Sequence, residues 1–168
     1  DFDASKSLHI PYYVPPNICT RHTRRRNTIA ILTGSVNSNW PIKIARIRKD
    51  LYLRMKNDNH FKVMTFERDR KIKFNVTYIA QQLMDTKYQF VPPGDSMERS
   101  ARDQSIACGC IPIMFDDENS ILHYKHPLSN VIPWIKISHV YTIPRTSKFI
   151  DAFMTNFDKI VLPTYTTV

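Results

Sequence analysis

The residues with chemistry to offer are concentrated between Gln89 and Phe115, in the stretch QFVPPGDSMERSARDQSIACGCIPIMF. Pro92, Pro93 and Gly94 break regular structure there, and Asp95 and Ser96 follow where a helix is expected to begin. Arg99, Ser100 and Arg102 then occupy its first turns. A helix N-terminus presents free N–H groups and partial positive charge, which suits an anionic phosphate, and arginine adds planar, paired donors to phosphate oxygens. Asp103 or Gln104, slightly further along, can accept hydrogen bonds from ribose hydroxyls, as in other nucleotide-binding α/β domains. The same residues also have a purely structural reading, with Asp95 or Ser96 as an N-cap and the arginines as a solvated helix face.

The elements around this stretch alternate. Thr28-Ile29-Ala30-Ile31-Leu32 is a short apolar, β-branched run that ends at Gly34-Ser35, as a buried strand followed by a tight turn does. From Pro41 to Lys56 the period changes: Ile44, Ile47, Leu51 and Met55 share one helical face, while Lys43, Arg46, Lys49, Arg54 and Lys56 lie largely off it. Pro41 suits a first helical turn, where its missing N–H costs nothing. Further strands are expected at Phe61–Phe66, Tyr88–Val91, Cys110–Phe115 and His139–Ile143, and helices at Val76–Met84 and Glu98–Cys108. Asp116, Asp117 and Glu118 read as a loop, and Thr146 or Ser147 as the cap of a last helix carrying Phe149, Phe153 and Phe157 at helical spacing. Strands and helices in alternation with short connections predict an α/β, Rossmann-like fold: a mostly parallel sheet flanked by helices. Ligands bind such sheets beyond the carboxyl ends of the strands, which singles out the loops Thr33–Pro41 and Pro92–Arg99.

The whole chain of 168 residues fits one domain. It divides into a proline-rich and basic leading segment (1–27), a Rossmann-like core (28–157) and a tail (158–168). Its opening residues read as the middle of a longer polypeptide, with no membrane segment within the chain. Lys and Arg outnumber Asp and Glu by 24 to 15, a balance that suits an anionic partner without choosing among phosphate, nucleic acid, acidic polysaccharide and membrane surface. The densest basic run, Arg21 to Arg26, reads as a solvated loop. A nucleic-acid-binding module would interleave such residues with exposed aromatics, and that pattern is not evident. With only three glycines the chain has no dinucleotide G-x-G-x-x-G, and it carries no Walker A or nucleophile-elbow pattern.

Cys19, Cys108 and Cys110 do not suggest a disulfide framework, and the C-x-C pair is poorly spaced for zinc; both of its cysteines read as small residues of a buried helix–strand corner. His123 and His126, near Asp116, Asp117 and Glu118, read as a solvated loop rather than a metal site. Trp134 and the last helix's phenylalanines read as core. Asn75-Val76-Thr77 is a glycosylation sequon, relevant only to a chain that enters the secretory pathway.

Pro92-Pro93-Gly94-Asp95-Ser96, then Arg99, then Gly109-Cys110-Ile111-Pro112-Ile113 resembles the exostosin-like glycosyltransferases. Other parts align in order: Ile10-Pro11-Tyr12 with Pro15-Pro16, Arg26 through Ile31-Leu32-Thr33-Gly34-Ser35, Arg48 with Leu51, Ile132-Pro133-Trp134, and Val140-Tyr141-Thr142-Ile143. The resemblance spans about residues 8 to 155. It implies the C-terminal, nucleotide-sugar-binding half of a two-domain GT-B enzyme. Such an enzyme inverts the anomeric centre, needs no metal or other cofactor, and works in the Golgi lumen as a type II membrane protein. Its donor is a nucleotide-diphospho-sugar, most commonly a UDP-sugar, and its acceptor is a glycan held through a missing N-terminal domain, which also supplies the general base. No nucleic-acid partner is implied. Carried over residue by residue, Gly94, Asp95, Ser96 and Arg99, with Ser100 beside them, line the diphosphate and sugar end. Gln104 faces the ribose, and Gly34 and Ser35 form part of the cleft floor. Two positions depart from the family: Gln104 stands where Asp or Glu is usual, and Cys108 where alanine is common. The competing readings are a catalytically degenerate carbohydrate- or nucleotide-binding copy and a basic nucleic-acid-binding module. As an isolated piece the chain is expected to bind nucleotide weakly and to transfer nothing.

Overall fold

The computed structural model describes residues 14–15, 17–19, 26–36, 42–65, 75–92, 100–117, 137–143 and 153–157, with backbone alone for 42–45, 116–117 and 140–143. Among the described residues five strands form one sheet: β1 (Thr28–Gly34), β2 (Phe61–Thr65), β3 (Thr86–Val91), β4 (Ile111–Asp117) and β5 (His139–Ile143). Between them run α1 (Ile42–Met55), α2 (Val76–Met84) and α3 (Ser100–Ala107). The order across the sheet is β2-β1-β3-β4-β5, and all four pairings are parallel. The expected α/β, Rossmann-like class is therefore the class of the fold.

The strands alternate as a sheet covered on both faces requires. Ala30 and Leu32 of β1 join Phe90, Ile113 and Phe115 in one core cluster, packed against Ile47, Leu51 and Met55 of α1 and against Phe153, Met154 and Phe157. Ile31 faces the other way, into a second cluster with Met64, Ala80 and Leu83 of α2 and with Cys108 and Cys110. The helical face read from the sequence is the one buried: Ile47, Leu51 and Met55 are inside, whereas Arg46, Lys49, Arg54 and Lys56 are exposed. Phenylalanines dominate the first cluster. Phe153 meets Phe115 edge-on with centroids 5.1 Å apart, and Phe157 lies 5.3 Å from Phe90, so aromatic contacts hold the 153–157 helical segment to the sheet.

Two of the boundaries that differ from the sequence reading are set by strand pairing. Asp116 and Asp117, expected in a loop, extend β4, because Asp116 pairs with Thr142 and Asp117 with Ile143 of β5. A partner strand thus overrides the weak strand preference of aspartate. β3 begins at Thr86, two residues early, because Thr86 pairs with Thr28.

The corner joining α3 to β4 is set by Gly109, whose φ is 68°. Cys110 N donates to Ser105 O at 2.8 Å and Gly109 N to Ile106 O at 3.0 Å, the two bonds of a Schellman cap. This geometry explains the small-residue run Cys108-Gly109-Cys110. Cys108 and Cys110 are buried as expected of a packed corner. Cys110 is a free thiol, but Cys108 forms a disulfide with Cys19 across a Cα–Cα distance of 5.0 Å, so Cys108 is more than the small corner residue that the sequence suggested. The two are separated by 89 residues, a distance that only the folded chain closes.

Candidate functional site

In the order β2-β1-β3-β4-β5 the chain winds outward in opposite directions from β1 and β3, so these neighbours flank the topological switch point. Leu32 lies opposite Phe90, which places the exits of the two strands, at Gly34 and at Val91–Pro92, side by side at one end of the sheet. The two loops singled out from the sequence are the continuations of these exits. A crevice at such a point, outside the carboxyl ends of parallel strands, is where open α/β sheets take their ligands.

On the β1 side the chain turns at Gly34, whose φ of 110° is unfavourable for any residue with a Cβ. A Cβ placed there would meet nothing within 4 Å among the described residues, so the glycine answers a backbone demand rather than a crowded neighbour. The turn is held from α1: Arg48 Nη1 donates to Ser35 O at 3.2 Å, and Arg48 is only 6% exposed. A helix that puts Ile47 and Leu51 into the core thereby carries a buried guanidinium up to the loop.

On the β3 side a polar network sits under the site. Gln89, fully buried in the central strand, donates from Nε2 to Thr33 Oγ1 at 2.8 Å and accepts at Oε1 from the hydroxyl of Ser105. Ser105 Oγ also lies 2.7 Å from Ala101 O, one turn back along α3. Three elements, β1, β3 and the last turn of α3, are therefore joined beneath the strand exits by hydrogen bonds sheltered from water. Such bonds give register and angle to a helix that hydrophobic contacts alone position loosely.

The first turn of α3 is not a solvated face. Arg102 is 3% exposed and its Nε lies 3.0 Å from Asp103 Oδ1, so a buried ion pair stands where the sequence offered exposed arginine as one reading. Ser100 opens the helix and is half-buried, as is Gln104. Of the predicted donor-site residues, Gly34, Ser35, Ser100 and Gln104 are described, and they lie on the β1 exit and on α3. Gly94, Asp95, Ser96 and Arg99 lie outside the described residues. So do His123, His126 and Trp134; among the described residues no group of three or more His, Cys, Asp or Glu is placed to hold a metal ion.

At the opposite end of the sheet, Arg26 has a different task from the one its basic neighbourhood suggested. Nη1 donates to the carbonyls of Leu83, at 3.2 Å, and Thr86, and Nη2 to that of Cys108 at 3.0 Å. It gathers the end of α2, the start of β3 and the end of α3 around one guanidinium. This part of the basic run is a structural clamp; Arg21 to Arg25 lie outside the described residues.

Sequence reasoning missed Gln89, Thr33 and Ser105 as a set. The available signal was a single amide in the run Tyr88–Val91, which requires partners when buried. No helix among the described residues is long and apolar enough to cross a membrane. No significant match was found among curated proteins or solved structures. A family model describing the exostosin GT47 domain matches residues 2–152, from the leading segment to the start of the last helix and across both loops of the switch point. With nine-tenths of its length covered by that match and a parallel α/β sheet beneath it, the chain belongs to the exostosin GT47 family of glycosyltransferases.

Proposed function

We propose that this domain binds the nucleotide-diphospho-sugar donor, a UDP-sugar, of an inverting, metal-independent glycosyltransferase that builds a glycan in the Golgi lumen. The observation that carries the reading is the switch point. The Gly34–Ser35 turn and the Pro92 loop leave neighbouring strands at the same end of the sheet, and the second loop leads into α3. Gly94, Asp95, Ser96 and Arg99 receive the diphosphate and sugar, with Ser100 beside them, and Gln104 faces the ribose. An amide accepts a hydroxyl's hydrogen bond less strongly than a carboxylate does, so Gln104 orients the ribose with weaker hold.

In this reading the domain's contribution to the reaction is to the leaving group. As the bond between the anomeric carbon and the diphosphate breaks, negative charge grows on the diphosphate oxygens. Fixed donors at the N-terminus of α3 and the guanidinium of Arg99 stabilise that charge without reorganising. The acceptor and the base that takes its proton come from a second domain. The Thr33–Gln89–Ser105 network and the Arg48–Ser35 bond position the loops rather than touching the donor.

The test is transfer by the full-length protein from a panel of UDP-sugars, with and without EDTA, the product anomer being read by NMR. Transfer with inversion that survives EDTA is expected. Retention of configuration, or activity abolished by EDTA and restored by a divalent cation, contradicts the mechanism.

A further inference from the structure

We propose that Asn75 carries an N-linked glycan. Asn75 is exposed and caps α2: its Oδ1 accepts from Tyr78 N at 2.9 Å. The cap uses the carbonyl oxygen and leaves the amide nitrogen, the atom that a glycan occupies, outside that bond. An N-glycosylated asparagine keeps its side-chain carbonyl, so the helix cap and the modification are compatible at one residue. Val76 and Thr77 complete the acceptor triplet, and Thr77 is exposed. The packing of α2 agrees with this. Ala80 and Leu83 are buried, whereas Thr77, Tyr78 and Gln81 are exposed, so a bulky group on Asn75 has solvent on its side of the helix.

A sequon is meaningful only in a chain that meets the luminal transferase, and the Cys19–Cys108 disulfide bears on that independently. A disulfide between residues so far apart in sequence forms and persists in an oxidising compartment, the one in which N-glycans are added. The co-reactant is a polyprenyl-diphosphate-linked oligosaccharide. The Asn75 amide nitrogen bonds to the anomeric carbon and gives up one proton. The bond from that carbon to the diphosphate oxygen breaks, and the diphosphate leaves with the electron pair. The inference shares the luminal location with the proposed function but not its donor site.

The test is peptide mass spectrometry on the full-length protein from a eukaryotic secretory host. The protein is treated with peptide N-glycosidase in heavy-oxygen water, beside the Thr77→Ala and Thr77→Ser variants. Thr77→Ala removes the acceptor triplet while leaving the Asn75 cap in place, so a folding failure does not confuse the result. Heavy-oxygen-labelled Asp at position 75 is expected in the parent and in Thr77→Ser, and unmodified Asn75 in Thr77→Ala, with a one-glycan shift in mobility that follows the same pattern. Unmodified Asn75 in the parent overturns the proposal, whether the protein is recovered from the lumen or fails to enter it. Neither outcome bears on UDP binding, which stands or falls separately.

Discussion

The hydroxyl of Ser105 on α3 donates to the side-chain carbonyl of Gln89 in the central strand, and both residues are wholly buried. The bond fixes the helix that follows the Pro92 loop to the strand that precedes it, while the other end of the Gln89 amide reaches Thr33 beside the Gly34 turn. One side chain thus ties β1, β3 and the last turn of α3 together beneath the switch point.

Ser105→Ala leaves Gln89 Oε1 buried without that donor. The expected cost is about 1–3 kcal/mol of folding stability, measured by urea denaturation. Adding Gln89→Leu to Ser105→Ala is expected to cost clearly less than the two single changes summed, because an apolar pair leaves fewer polar atoms stranded. Strict additivity in the double-mutant cycle contradicts the coupling.

Arg26→Met removes the shared donor of three carbonyls at the amino end of the sheet and should destabilise the fold by about 2–4 kcal/mol. Arg26→Lys should recover less than half of the loss, since an ammonium cannot reproduce the planar fork. Equal thermal midpoints for the parent and Arg26→Met would show that the residue is an ordinary surface charge.

Gly34→Ala meets no neighbour among the described residues but must adopt a φ of 110°, so its cost, about 1–3 kcal/mol, comes from the backbone. A flexible loop that simply shifts φ would show no change in denaturation midpoint.

Breaking the Cys19–Cys108 bond, by Cys19→Ser or by reductant, should lower stability by about 2–4 kcal/mol. Non-reducing peptide mapping should find the linked pair and a free Cys110. Both cysteines recovered as free thiols from protein made in an oxidising compartment contradict the pairing.

Burial pushes the Cys110 thiol up from 9.0 to about 12, against a smaller opposing pull from Arg26. The unfolded chain therefore releases this proton first. The stabilising effect is complete below pH 9, falls by up to about 1.4 kcal/mol per pH unit above it, and is exhausted near pH 12. Cys110→Ala removes that slope, so the stability gap between parent and variant should narrow as the pH rises from 9.0 toward 12. A gap that stays constant places the thiol in water.

The sheet and its helices were legible because Thr28–Leu32, Val76–Met84 and His139–Ile143 carry their period or β-branched character locally, and Ile47, Leu51 and Met55 mark one helical face. The two exits of the switch point were legible from Gly34 and from the Pro92–Gly94 break. Arg26, Arg48 and Arg102 were not. A charge is read as solvated unless its partners are known, and theirs are carbonyls or a carboxylate brought close by packing. Cys19 and Cys108 were illegible for the same reason: nothing in a one-dimensional spacing of 89 residues brings their Cα atoms to 5.0 Å.

A diphosphate site at the β1–β3 switch point is tested by calorimetric titration of UDP into the full-length protein and its Arg99→Ala variant. Saturable binding is expected in the parent, weakened about 10- to 100-fold in Arg99→Ala, as loss of a charge-assisted hydrogen bond to a phosphate implies. Equal affinity in the two proteins, or no binding of UDP by the parent, contradicts that site.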